Sequence, residues 1–212
     1  ITQYILSATE PLLFKGLVAD WPVVTAAKQS NKRVAAYINQ FYKGMTVGVG
    51  VGNPGCNGRL FYNNEFTDFN FTTQGRKLDC FFDELLSSVS EDCPTSQYVG
   101  STHIDKLLPQ FRNENDLDVL AQYKPLASIW LGNESIIAAH QDMPNNIACC
   151  VAGKRRFTLF PPEQVENLYL GPLDHTPAGQ AVSLVDFHQP NWTKFPKFKH
   201  ALKYAQVVEL EP

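Results

Sequence analysis

Val34, Ala35, Ile38 and Phe41 recur at the three- and four-residue spacing of one helical face, which predicts an amphipathic helix over 31–42. Leu78, Phe81, Phe82, Leu85 and Leu86 repeat that spacing and predict a second helix over 78–86. Between them, Met45 to Val51 alternates hydrophobic residues with Thr and Gly, the period of a strand with one covered face. Residues 11–24 predict a short strand, a turn and a corner at Trp21-Pro22. Tyr98-Val99-Gly100 predicts another strand, and Ser101-Thr102 the cap of a helix leading into Leu107-Leu108. The second half is richer in strands. Residues 127–131, 136–140, 146–152 and 156–160 are closely spaced candidates divided by Gly, Asn or Pro, with Gly153-Lys154 as a tight hairpin between the last two. Pro161-Pro162 opens a short helix, residues 198–204 form a last one, and 206–210 a final strand. No repeat or linker interrupts the chain. It is expected to be a single domain over 1–212, mainly β with flanking helices.

Composition narrows the function more than the fold. The 212 residues are 44% hydrophobic and 18% charged, with fourteen Phe and eight Tyr, as expected of a globular chain with a β-rich core. A net charge of -3 supplies no long-range attraction to nucleic acid or to an anionic membrane. No apolar run approaches the roughly 20 residues that cross a bilayer. The opening residues, Ile1-Thr2-Gln3-Tyr4, lack an initiator Met and a secretory pattern, so the chain is expected to be part of a longer product. Five cysteines, at 56, 80, 93, 149 and 150, make a poor disulfide framework and contain no CxxC pair, which points to a reducing cytoplasm. Three Asn-x-Ser/Thr sequons, at Asn70, Asn133 and Asn191, carry little weight without a secretory signal. The run from Gly48 to Gly55 suggests a phosphate loop, but it lacks the Gly-Lys-Ser/Thr ending and fits a strand entering a loop.

Two His-x-Asp tripeptides occur, His103-Ile104-Asp105 and His140-Gln141-Asp142. On a strand, residues i and i+2 share a face, so an imidazole and a carboxylate can reach one ion. On a helix they point about 200° apart. His103 and Asp105 fall where a helix is expected to begin, and Asp105 suits its positive end, so this pair reads as structural. His140 and Asp142 close a strand pattern before a polar turn. Two histidines and one carboxylate on one face of an octahedron leave three positions open, the arrangement of non-haem iron oxygenases. The spacing alone fits equally well a partly buried histidine with an aspartate partner.

The surroundings of that motif resemble the cupin-like branch of the JmjC family, whose members include the asparaginyl hydroxylase of hypoxia-inducible factor. The residues that carry the likeness are Pro11 to Pro22, Tyr98-Val99-Gly100-Ser101, Ile129-Trp130-Leu131-Gly132 and, above all, the long run from His140 to Pro162. The resemblance implies a double-stranded β-helix (jelly roll) that holds Fe(II) and chelates 2-oxoglutarate. O2 then drives decarboxylation of the co-substrate and hydroxylation of an unactivated C–H bond. It assigns His140 and Asp142 as metal ligands. It also implies that Tyr98, Asn146 and Arg155 line the co-substrate site, with Arg155 standing where relatives carry a Lys for the far carboxylate. An Arg serves there with a two-pronged fork. Read without the family, Tyr98 is better taken as a core aromatic, Asn146 as a turn residue and Arg155 as part of a solvated basic run. The implied substrate is a protein or peptide, with RNA and small molecules left open, and the implied assembly is a homodimer.

The chain departs from the family pattern in two places. Relatives carry the third ligand, a second His, on a strand after a Gly-Asp turn that would follow residues 206–212, so C-terminal strands are expected to be missing. His175 and His188 lie in connecting segments and His200 in the last helix. Ile137 stands where relatives place a Thr that contacts 2-oxoglutarate. Two competing readings remain: a cupin metalloenzyme indifferent to 2-oxoglutarate, and a non-catalytic binding module. Phe61, Tyr62 and Trp192 are candidates for either a substrate groove or the core.

Overall fold

A computed structural model describes residues 2–212. The N-terminal half is a helical layer on an antiparallel sheet. After α1 (Thr2–Leu6) come α2 (Pro22–Gln29) and α3 (Asn31–Phe41). Pro22 opens α2 at a position whose N–H has no helical partner, and Ser30 caps α3 by accepting the Arg33 N–H at 3.1 Å. The strand expected within 11–24 is not formed. Trp21 and Pro22 are the entrance to a helix, because proline's fixed φ suits a first turn as well as a bend.

Strands β1 (Thr46–Gly52) and β2 (Phe71–Lys77) run antiparallel, and α4 (Leu78–Ser87) follows β2 directly. Strand β3 (Ser96–His103) pairs with β1, and β4 (Ser128–Gly132) pairs with β3, for a sheet order β2-β1-β3-β4. Val47 and Val49 of β1, Val99 of β3 and Ile129 of β4 point to the helical layer. There they join Val23, Val24, Ala35, Ile38, Leu78, Phe81 and Phe82 in one core. On β1 the opposite face is Gly48, Gly50 and Gly52. A methyl group on Gly52 would stand 2.7 Å from Leu60, so the bare backbone is what admits Leu60 to that face.

Helix α5 (Ile104–Leu107) is capped by the residue after the Ser101-Thr102 pair, because β3 continues through His103. His103 itself caps it, its Nδ1 accepting the Asp105 N–H at 3.2 Å. Asp105 also takes a hydrogen bond from Arg112.

The C-terminal half departs further from the periodicity. Residues 136–140 make only single bridges, Ile136 with Arg59 and His140 with Val182, and 146–152 form no strand. Strand β5 (Arg155–Leu159) pairs not with 146–152 across Gly153-Lys154 but with β6 (Gln206–Leu210), Arg155 opposite Leu210. Gly153, at φ +68, turns the chain without closing a hairpin. Helix α6 (Phe198–Leu202) packs Phe198 and Ala201 against Val185 and Phe195. Phe61, Tyr62, Ala138 and Val182 form a further cluster beneath the His140 segment. Among the described residues no helix is long and apolar enough to cross a membrane.

Candidate metal centre

Residues 138–142 and 180–184 lie side by side in opposite directions. Ser183 N–H donates to the Ala139 carbonyl at 2.7 Å, and His140 faces Val182 as an antiparallel pair. This extended stretch sets His140 and Asp142 on one face, as alternation along a strand requires.

The His140 Nδ1 lies 2.7 Å from the Ala138 carbonyl oxygen. A carbonyl only accepts, so Nδ1 carries a proton and Nε2 is the ring atom left to meet a metal. That Nε2 stands 3.6 Å from Asp142 Oδ1. A cation placed between these two atoms would be held by both. Metal–ligand bonds of about 2.0–2.2 Å place neighbouring ligand atoms roughly 3 Å apart, so a small closing movement fits an ion between them. The His140 and Asp142 side chains are 24% and 47% exposed, which leaves the centre open to solvent on one side. The donor set is therefore suited to two of the three protein ligands of a non-haem metal site.

Asp142 is held by two amides. Gln180 Nε2 donates to Oδ1 at 2.7 Å and Asn146 Nδ2 to Oδ2 at 3.3 Å. Asn146 thus touches the carboxylate ligand itself. Gln180 was invisible in the sequence, because nothing in the run Gly179-Gln180-Ala181 marks it and only the register with the His140 segment brings it close.

Tyr98 on β3 and Arg155 at the start of β5 meet near the same carboxylate. Burial pushes the Tyr98 phenol above its ordinary range. The positive charge and hydrogen bond of Arg155 pull it down, and the Asp142 charge pushes it up. The net upward direction keeps the hydroxyl protonated, and so a donor, at neutral pH. The Arg155 guanidinium also lies 5.0 Å over the Phe157 ring. Tyr98 gains its room from Gly132, its partner on β4, where an added methyl would meet the Gln97 carbonyl oxygen at 2.5 Å and the Tyr98 ring at 3.2 Å.

The other candidates lie elsewhere. His175 pairs with Asp68 at 3.6 Å and stacks on Phe69, and His200 is on α6. Among the described residues no group of three His, Cys, Asp or Glu side chains gathers in a metal-holding arrangement. Phe61 and Tyr62 are core residues, the Tyr62 hydroxyl donating to the His175 carbonyl at 3.0 Å, whereas Trp192 is surface-exposed. All five cysteines are free thiols.

The family profile described as "Cupin-like domain" matches residues 1–212. The chain belongs to the cupin-like domain family. Within it, the chain is similar to the JmjC domain-containing protein D of Dictyostelium discoideum, 26% identical over 146 residues, which are 60% of this chain and 32% of that protein. It is also similar to Lysine-specific demethylase JMJ31 of Arabidopsis thaliana, 29% identical over 107 residues, 49% of this chain and 19% of that protein. The matches span about a third and about a fifth of those relatives' lengths. These likenesses place the cupin-like domain in the JmjC type.

Proposed function

We propose that this chain is a JmjC-type Fe(II)/2-oxoglutarate-dependent oxygenase domain built on a double-stranded β-helix. One observation carries the proposal: the His140–Asp142 donor pair shares its surroundings with the Tyr98–Arg155 pair. A metal site next to a phenol and a guanidinium suits a dicarboxylate held at both ends. His140 Nε2 and Asp142 Oδ1 would hold the metal, and Arg155, with the Tyr98 hydroxyl, would take the far carboxylate through charge-assisted bonds. Fe(II) with 2-oxoglutarate supplies O2 activation and hydroxylation of a C–H bond. The chain's own residues orient the two ligands, keep the phenol protonated as a donor, and offset the charge of the dicarboxylate.

The substrate we propose is a protein side chain, the class that the name of the Arabidopsis relative implies for that relative. The 24% exposure of His140 agrees with a substrate too large to be enclosed. The free thiols suit the cytoplasm as the working compartment. A competing reading, a non-catalytic binding module, is favoured by the gathering of only two metal donors among the described residues.

The test is anaerobic addition of Fe(II) and 2-oxoglutarate, watching for a visible metal-to-ligand charge-transfer band. The expected result is a band that needs both additions, vanishes in His140→Ala, and in Arg155→Ala requires about 10- to 100-fold more 2-oxoglutarate, the loss of one charge-assisted anchor. Metal binding without any band would favour a cupin metalloenzyme that ignores 2-oxoglutarate. A folded protein that binds no metal would leave the binding module.

A further inference from the structure

The two segments at the centre keep one antiparallel register. Ala139 faces Ser183 through the 2.7 Å hydrogen bond, and His140 faces Val182. Continuing two residues along each segment sets Asp142 opposite Gln180. Cross-strand partners stand on the same face of a pair, close enough for side-chain contact. The 2.7 Å bond from Gln180 Nε2 to Asp142 Oδ1 is that contact. It falls on the carboxylate oxygen that lies 3.6 Å from His140 Nε2.

We infer that Gln180 is a positioning residue for the metal centre: its amide fixes which oxygen of Asp142 is presented beside His140. The inference rests on the metal-site reading of His140 and Asp142. A free carboxylate turns about its Cβ–Cγ bond and presents either oxygen, or both at once. Here each oxygen has its own amide donor, Gln180 on Oδ1 and Asn146 on Oδ2. With both contacts made, the plane of the group is set, and Oδ1 keeps one lone pair directed towards His140. Asn146 sits four residues from Asp142 on the same turn, so its bond is local and, at 3.3 Å, long. Gln180 comes from a segment 38 residues away and makes the shorter bond. It is therefore the contact that ties the ligand to the rest of the fold. A carboxylate held to one oxygen occupies one coordination position, and more positions stay open for a co-substrate and O2. Partners that orient a ligand in this way commonly govern metal affinity about 10- to 100-fold.

The experiment is a titration of the whole chain with Mn(II), followed by the loss of the free-ion EPR signal, and with Co(II), followed by its visible bands. Gln180→Leu keeps the bulk and removes the donor. Circular dichroism and thermal melting verify that the variant is folded, because a half-buried loop side chain is not expected to move the melting temperature. The expected result is a Mn(II) affinity at least about tenfold weaker than in the parent, with altered Co(II) bands, while His140→Ala and Asp142→Ala abolish binding. If those two abolish binding and Gln180→Leu stays within about twofold of the parent with an unchanged Co(II) spectrum, the role given to Gln180 is wrong. If the parent binds neither ion, or His140→Ala and Asp142→Ala bind as it does, the metal-site reading fails and the role of Gln180 falls with it.

Discussion

Replacing Gly132 by alanine tests how tightly β3 and β4 are bound around Tyr98. The new methyl carbon would stand 2.5 Å from the Gln97 carbonyl oxygen, 3.2 Å from Tyr98 Cδ2 and 3.4 Å from Tyr98 Cα. A carbon–oxygen contact of about 3.3 Å is the close end of what is tolerated, so roughly 0.8 Å must be opened. The obstacle is backbone and cannot rotate away. The Gln97 backbone is clamped on both sides of its Cα by Asn133, whose N–H donates to the Gln97 carbonyl at 3.3 Å and whose Oδ1 accepts the Gln97 N–H at 2.9 Å. Opening the strands therefore strains both bonds. Overpacking of this kind costs about 1–3 kcal/mol, and two weakened hydrogen bonds add about 1 kcal/mol each, for roughly 3–5 kcal/mol. At this chain length 1 kcal/mol shifts the melting temperature by about 2–4 °C, so a drop of about 6–20 °C is expected in a thermal melt followed by circular dichroism. Gly55→Ala is the control, since an added methyl there meets nothing within 4 Å. A Gly132→Ala protein that melts within about 2 °C of the parent would show that the β3–β4 spacing is soft and the clamp argument wrong.

Asn115 braces the helical layer. It is 3% exposed, accepts the Val23 N–H at 3.1 Å, and donates to the Tyr37 hydroxyl at 2.8 Å and the Phe111 carbonyl at 3.0 Å. Asn115→Leu keeps the volume but strands these groups, and a urea titration is expected to show a loss of about 2–4 kcal/mol. The Tyr37 phenol is pushed up to about 12, first by burial and then by Glu114, against the lowering bond from Asn115. Its folded-state value lies above the unfolded one. The stability it contributes is therefore present below about pH 10 and lost as pH rises through about 12. Absorbance at 295 nm is expected to lose a late-titrating tyrosine in Tyr37→Phe, and an unchanged titration would remove the basis for that pH dependence.

Elements whose evidence is local were legible beforehand. The spacing of Val34, Ala35, Ile38 and Phe41 matches α3, Leu78 to Leu86 lies within α4, and residues 206–210 are β6. The apolar runs of 136–140 and 146–152 were just as clear as strand candidates and did not lead to strands. An apolar run shows that a segment can be buried; it does not supply a neighbour to pair with. Strand β5 illustrates the same limit, since its partner is not the adjacent 146–152 but β6, some fifty residues on. Gly153 supports both outcomes, as a left-handed turn residue suits a hairpin and an open bend alike.

The centre divides along the same line. His140 and Asp142 were recognisable as a pair because two residues two apart need only an extended backbone to share a face. Their other partners depend on segments far away in the chain. Arg155 comes to Tyr98 from 57 residues away across two sheets, and Gln180 comes to Asp142 from 38. Periodicity, turn chemistry and the His-x-Asp spacing are set by atoms within a few residues, and the sequence by itself determined those. Which strand pairs with which, and which amide reaches the carboxylate, follow from how the helical layer, the four-stranded sheet and the second pair of strands pack together. Only the tertiary structure decided them, because hydrophobic burial and register act between residues that the order of the chain does not connect.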